Sequence, residues 1–255
     1  MKLEEEILTT NIFLTNGKKN LMKVVILAGG KGTRLSEYTK LLPKPMVKIG
    51  GKPIIEHIIN IYRKYGFSDF IIATGYKSKE IKKFFEKKNF SPKININIVD
   101  TGLNTLTGLR IKKLEKIIGN ERFMLTYGDG LSNVNIKKLI NYHIKNKSIL
   151  TLTAVHPPAR FGELTFNKRV VKKFEEKPQL QKGWINGGFF VVEPDFFKIL
   201  TKKNIMLERE PITKLVKMKK ISAYAHNGFW YCMDNLRDKI VLEDLSKIKK
   251  LPWLN

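Results

Sequence analysis

The first regular pattern along the chain is Lys23-Val24-Val25-Ile26-Leu27-Ala28, a β-branched run closed by Gly29-Gly30. It shows no polar alternation, as expected of a parallel strand buried on both faces. Residues 54–65 set Ile54, Ile55, Ile58, Ile59 and Tyr62 at helical spacing. Phe70-Ile71-Ile72-Ala73-Thr74 reads as a second buried strand ending at Gly75, and Ile81, Phe84 and Phe85 suggest a helix. Residues 94–99 alternate Ile with Asn, the pattern of a half-exposed strand, and Phe123-Met124-Leu125-Thr126-Tyr127 is a further strand running into Gly128-Asp129-Gly130. A helix over 135–145 and a strand over 149–155 follow. Strands alternating with helices through short connections predict an α/β fold around one doubly wound, mostly parallel sheet of Rossmann-like type.

After residue 160 the pattern changes. Residues 163–166, 170–176 and 187–192 read as short strands meeting as hairpins, which predicts a small mixed β cap at the sheet edge. Residues 1–21 show neither helical nor strand period and are expected to be an appendage, or the product of an upstream start with Met22 as the true beginning. No repeat or linker interrupts residues 22–255, which are read as a single domain.

The formal charge of +25 raises the question of nucleic acid. Its source is mostly lysine spread from Lys2 to Lys250, with no basic stripe interleaved with aromatics. That pattern fits a solvated basic surface that steers small anions inward, and no nucleic-acid partner is expected. No apolar run reaches the ~20 residues of a membrane span, and the acidic start Glu4-Glu5-Glu6 is unlike a signal peptide. A single cysteine, Cys232, allows no internal disulfide and is read as a small core residue. A cytoplasmic location, without membrane attachment, is the expectation.

The most informative stretch is Leu27-Ala28-Gly29-Gly30-Lys31-Gly32-Thr33-Arg34, followed by Pro43-Lys44-Pro45. A glycine-rich turn after a first strand lets backbone N–H groups approach phosphate oxygens, and Arg34 and Lys44 add positive charge. The spacing is neither that of a Walker A loop nor that of a dinucleotide fingerprint, since Leu35 stands where the third glycine would fall. The four histidines, His57, His143, His156 and His226, lack metal-ligand spacing, so no zinc is expected.

Gly-Gly-x-Gly-Thr-Arg with a downstream Pro-Lys-Pro resembles the signature of the sugar-1-phosphate nucleotidyltransferases. The resemblance continues through Val99-Asp100-Thr101-Gly102, Thr107-Gly108-Leu109-Arg110, Thr126-Tyr127-Gly128-Asp129-Gly130 and Phe174-Glu175-Glu176-Lys177-Pro178. It extends to Ile185-Asn186-Gly187-Gly188 and Met233-Asp234-Asn235-Leu236-Arg237-Asp238, covering 22 to about 245 in matching order. Within the family the pattern is similar to the branch that joins CTP to glucose 1-phosphate.

The resemblance implies a division of labour. Residues 27–34, Lys44, Thr105, Arg110 and Gly128 would bind the nucleotide, with Arg34, Lys44 and Asp129 catalytic. Glu176, Lys177 and Asn186 would hold the sugar phosphate, and Asp129 and Asp234 would hold Mg2+, a hard ion that takes one or two carboxylates plus phosphate oxygens. It also implies a homo-oligomer. One departure stands out: only thirteen residues separate Phe85 from Val99, where familiar cytidylyltransferases carry a longer insertion. Another base or sugar phosphate with the same chemistry is therefore an open alternative. A non-catalytic relative would be expected to have lost a chemical residue, yet Arg34, Lys44, Asp129, Lys177 and Asp234 are all present.

Overall fold

The computed structural model describes residues 22–88, 90–158, 161–175 and 183–255. The expectations for residues 1–21, and for Glu176 and Lys177, fall outside the described residues.

Seven strands form the central sheet: β1 (Val24–Ala28), β2 (Asp69–Thr74), β3 (Asn95–Asp100), β4 (Phe123–Tyr127), β6 (Leu150–Val155), β9 (Ile185–Val192) and β10 (Ile221–His226). Their order is β10-β6-β9-β4-β1-β2-β3. All pairings are parallel except those of β9, which runs antiparallel to both β4 and β6. Outside this sheet β7 (Glu163–Asn167) pairs with β8 (Val170–Glu175), β5 (Gly130–Ser132) with β11 (Trp230–Cys232), and Lys48–Ile49 with Lys52–Pro53.

The apolar run of β1 behaves as its composition demands. Successive side chains point to opposite faces of a strand; Val24, Ile26 and Ala28 enter one buried cluster while Val25 and Leu27 enter another. The first cluster is covered by helix α1 (Ile54–Arg63), which buries Ile54, Ile55, Ile58, Ile59 and Tyr62. Across the sheet, Ile111 of α3 (Thr107–Lys112), Phe196, Phe197 and Leu215 of α5 (Glu210–Lys217) cover the second. Three layers result, with β1 between two cores. Helix α2 (Ser78–Lys87) leads to β3, the sheet's edge, whose Asn95 and Asn97 are exposed between half-buried isoleucines. Helix α4 (Ile136–Asn146) begins where Asn135 caps it, the Asn135 side chain accepting from the Lys138 N–H.

The cap differs from expectation. Only the first two predicted strands, β7 and β8, form a hairpin. The third, β9, lies inside the main sheet, because Phe189, Phe190, Val191 and Val192 bury their side chains on both of its faces. An apolar run of that kind is the same for a parallel strand and for an inserted antiparallel one. Strand β10, the β5–β11 ladder and helices α5 and α6 (Leu236–Ser246) were not anticipated. No described helix is long and apolar enough to cross a membrane.

Candidate active site

Strands β1, β2 and β4 end at the same edge of the sheet, and chain order reverses at β1, the place where open α/β sheets bind ligands. Because β9 runs the other way, its beginning, with Asn186, arrives at that edge too.

The glycine loop leaves β1 here. Gly32 adopts φ +64, and a Cβ there would lie 2.9 Å from Thr39 Cγ2 and 3.0 Å from Lys44 Cβ. Only glycine allows both the left-handed turn and this approach of the loop to the Pro-Lys-Pro segment. Gly29 is required for a different reason, since a side chain would collide with the Arg110 guanidinium. That guanidinium is buried and donates to Thr74 O, Thr101 Oγ1 and Thr105 O, with Gly29 O 3.4 Å and Gly102 O 3.3 Å away. Arg110 thus ties the loop, the end of β2 and residues 101–105 into one wall. Leu27, Ala28, Gly29, Gly30, Gly32, Thr33, Arg34, Lys44, Arg110 and Gly128 all line a cavity of about 270 Å³. Lys31 and Thr105 do not line it; the Thr105 hydroxyl turns back to donate to Thr101 O at 2.6 Å.

Asp129 and Asp234 come together through the β5–β11 ladder. Asp129 directly precedes β5, Asp234 lies two residues past β11, and Gly130 pairs with Cys232. The Met233 N–H donates to Asp129 O at 2.9 Å, extending that register. Asp238, which sequence reading passed over, fixes the second carboxylate: buried in the first turn of α6, it accepts from the Asp234 and Asn235 N–H groups at 2.9 and 3.2 Å. Asn235 in turn accepts from the Asp238 N–H, completing a capping box. The Asn-x-x-Asp spacing was the available signal.

Lys44 lies between the two carboxylates, its ammonium 2.7 Å from Asp129 Oδ2 and 2.9 Å from Asp234 Oδ1. Burial pulls its pKa down, but Asp129 above all pushes it up further, so Lys44 stays charged. Arg34 reaches Asp234 Oδ2 at 3.0 Å, yet its side chain is 72% exposed against 12% for Lys44. An exposed pair of this kind is worth little, so Arg34 is free to turn to another anion. Burial, and then Asp129 and Asp234, push the Cys232 thiol up, keeping it neutral. Oxygen atoms of Asp129 and Asp234 and the Cys232 sulfur lie within 4.8 Å of one another. The space between the carboxylates already favours a cation, that of Lys44, and their oxygens suit a hard divalent ion.

A second cavity, of about 480 Å³, opens on the other side of Asp129. Pro157, Asn186, Trp230, Tyr231, Asp234 and Arg237 line it. Arg34, Tyr127 and Asp129 belong to both cavities. Tyr127, Trp230, Tyr231 and Arg237 received no role from the sequence. Of the histidines, His57 and His143 are buried in hydrogen bonds, to Ile49 O and Trp253, and to Thr151 and Glu193.

Two cavities, one of them walled by a glycine loop at the switch point of an open α/β sheet, meet at Arg34, Tyr127 and Asp129. The chain belongs to the nucleotidyl transferase family, whose model matches residues 23–233. It is 42% identical over 254 residues to glucose-1-phosphate cytidylyltransferase of Salmonella typhimurium, covering 91% of this chain and 98% of that protein. It is also 42% identical over 252 residues to the probable glucose-1-phosphate cytidylyltransferase of Bacillus subtilis, at 91% and 99% coverage. Among solved structures, HddC from Yersinia pseudotuberculosis superposes with a TM-score of 0.69 at 26% identity, covering 88% of this chain and 98% of that one.

Proposed function

We propose that the protein transfers a cytidylyl group from CTP to glucose 1-phosphate, forming CDP-glucose and releasing pyrophosphate. The observation that carries this reading is the meeting of the two cavities at Arg34, Tyr127 and Asp129. Its substrates are taken from the similarity to the two cytidylyltransferases.

The triphosphate would occupy the smaller cavity, its phosphates against the backbone of residues 29–33 and beside Lys44. The sugar phosphate would occupy the larger one, with Asn186 toward the sugar and Lys177 and Glu176 completing its binding. A phosphate oxygen is already anionic near neutral pH, so the attack on the α-phosphorus needs no strong general base. One P–O bond forms to the sugar phosphate while the bond to the β-phosphate breaks, and pyrophosphate leaves with that electron pair. What the chain must supply is alignment of two anions that repel each other. Arg34, exposed and lining both cavities, supplies positive charge at the junction. Lys44 holds Asp129 and Asp234 together and carries charge between them and the triphosphate. Asp129 and Asp234 would hold Mg2+, which neutralises phosphate oxygens when bound.

A homo-oligomer in the cytoplasm fits this reading. The β7–β8 hairpin carries Leu164 opposite Phe174 and Phe166 opposite Val171, all more than half exposed on one face. A lone two-stranded hairpin is marginal in water, and a second copy covering this face would stabilise it.

The test is pyrophosphate release with Mg2+ and glucose 1-phosphate, comparing CTP, UTP, dTTP, GTP and ATP. Turnover confined to CTP is expected. Turnover with a different base would overturn the assignment of CTP and leave the chemistry standing. Silence with all five would overturn the sugar.

A further inference from the structure

Residues 204–208 make no part of the glycine loop or the acidic pair, yet they are stitched to the wall of the nucleotide cavity. Asn204 accepts from the Leu106 N–H at 2.8 Å and donates to Asn104 O at 2.9 Å. Ile205 O accepts from the Gly108 N–H at 3.0 Å, and the Leu207 N–H donates to Thr107 Oγ1 at 2.8 Å. Glu208 ends this seam with two arms. One carboxylate oxygen accepts from the Thr107 hydroxyl at 2.8 Å, and the other accepts from the hydroxyl of Tyr127.

Those two partners sit on different surfaces. Thr107 lines the smaller cavity, whereas Tyr127 lines both. Having donated to Glu208, the Tyr127 oxygen accepts from Asn186 Nδ2 at 3.3 Å. Asn186 Oδ1 accepts from the Gly188 N–H at 2.9 Å, so both ends of that amide are engaged. A carboxylate offers only acceptors and the Asn186 amide nitrogen only donors. The chain of bonds therefore has one sense: Tyr127 donates to the carboxylate and accepts from the amide.

We propose that Glu208 is a positioning residue that couples the two substrate sites, fixing Thr107 in the nucleotide cavity and, through Tyr127, Asn186 in the sugar-phosphate cavity. The inference rests on the assignment of the two cavities above. It is independent of which base and sugar are used.

The experiment measures KM and kcat for each substrate in wild type, Y127F, E208Q and the double variant. All four use whichever triphosphate and sugar phosphate the wild type turns over, so an error in the cytidylyl reading changes the pair and leaves the test intact. Y127F should raise the sugar-phosphate KM by about tenfold, the scale of one hydrogen bond to a charged group, and leave the triphosphate KM near wild type. E208Q, left with one accepting oxygen for two donors, should raise both KM values. On the sugar-phosphate KM the double variant should be no worse than the more impaired single variant, because both remove the same strut. A melting temperature kept close to wild type separates this from unfolding. The proposal is overturned if E208Q leaves both KM values unchanged, if the two effects multiply, or if E208Q lowers stability alone.

Discussion

The smaller cavity takes half of its lining from residues 27–34, with Lys44 and Pro45 beside them. The larger one is assembled from segments around 127–130, 157–158, 185–187 and 230–238. The first is a backbone site, shaped by Gly29, Gly32 and Gly128, where a side chain would collide with its neighbours. The second is a side-chain site, whose carboxylates are brought to one place by a short ladder and a helix cap. A contiguous motif can build the first kind because its geometry is local. The second depends on strands far apart in sequence finding one register. The two regions should therefore fail differently when broken.

The largest effect is expected at the junction. Asp129→Ala removes one of the two carboxylates facing Lys44 and should lower kcat by about a hundredfold or more, read as pyrophosphate release at saturating substrates. Turnover close to wild type would detach Asp129 from the chemistry and leave the junction without its carboxylate.

A smaller and more selective effect is expected from Gly32→Ala. The left-handed conformation costs a non-glycine residue about 1–3 kcal/mol, and the added methyl meets Thr39 and Lys44. The triphosphate KM should rise by about tenfold for a strain of that size, with the sugar-phosphate KM nearly constant. Equal changes in both constants would erase the distinction between a backbone site and a side-chain site.

The counterpart on the side-chain site is Asn235→Ala. Losing the cap of α6 should cost about 1 kcal/mol and lower the melting temperature by about 2–4 °C for a domain of this size. Because the same turn carries Asp234, kcat should fall several-fold while the triphosphate KM holds. A stability loss with kcat intact would show that Asp234 does not need the capping box.

What could be read beforehand follows the same division. β1, β2 and β4 were legible because a run buried on both faces has a composition of its own, and β3 because one exposed face imposes alternation. The glycine loop was legible with them, since its strain is local. Asp129 and Asp234 could be paired only through the family pattern, because nothing in either segment announces the β5–β11 register. Tyr127, Thr107 and Glu208 were not legible as a group: each is an ordinary residue until residues 204–208 lie across α3. β9 was misplaced because an apolar run does not record its own direction.

The smallest effect lies outside both cavities and sharpens the comparison by showing what the scaffold contributes. His57 donates through Nε2 to Ile49 O at 2.9 Å and accepts at Nδ1 from the Trp253 indole at 3.2 Å, which requires a neutral ring. Burial, only partly offset by the Ile49 carbonyl, holds its pKa below the ordinary 6.5. His226 is shifted the same way, again chiefly by burial. The unfolded chain therefore takes up protons first as pH falls. Stability is full above the ordinary pKa of 6.5 and is lost as pH drops through that value toward the lower folded pKa. The melting temperature should be lower at about pH 5.5 than at about pH 7.5, and His57→Gln, which keeps a donor and an acceptor but cannot titrate, should flatten part of that slope. Because the ring packs edge-on against Trp253 and lines neither cavity, the pH slope of stability should change in this variant while both KM values at neutral pH do not. A slope unchanged by His57→Gln would mean that His226 or the carboxylates carry it, and the neutral imidazole would lose its place in the acid response.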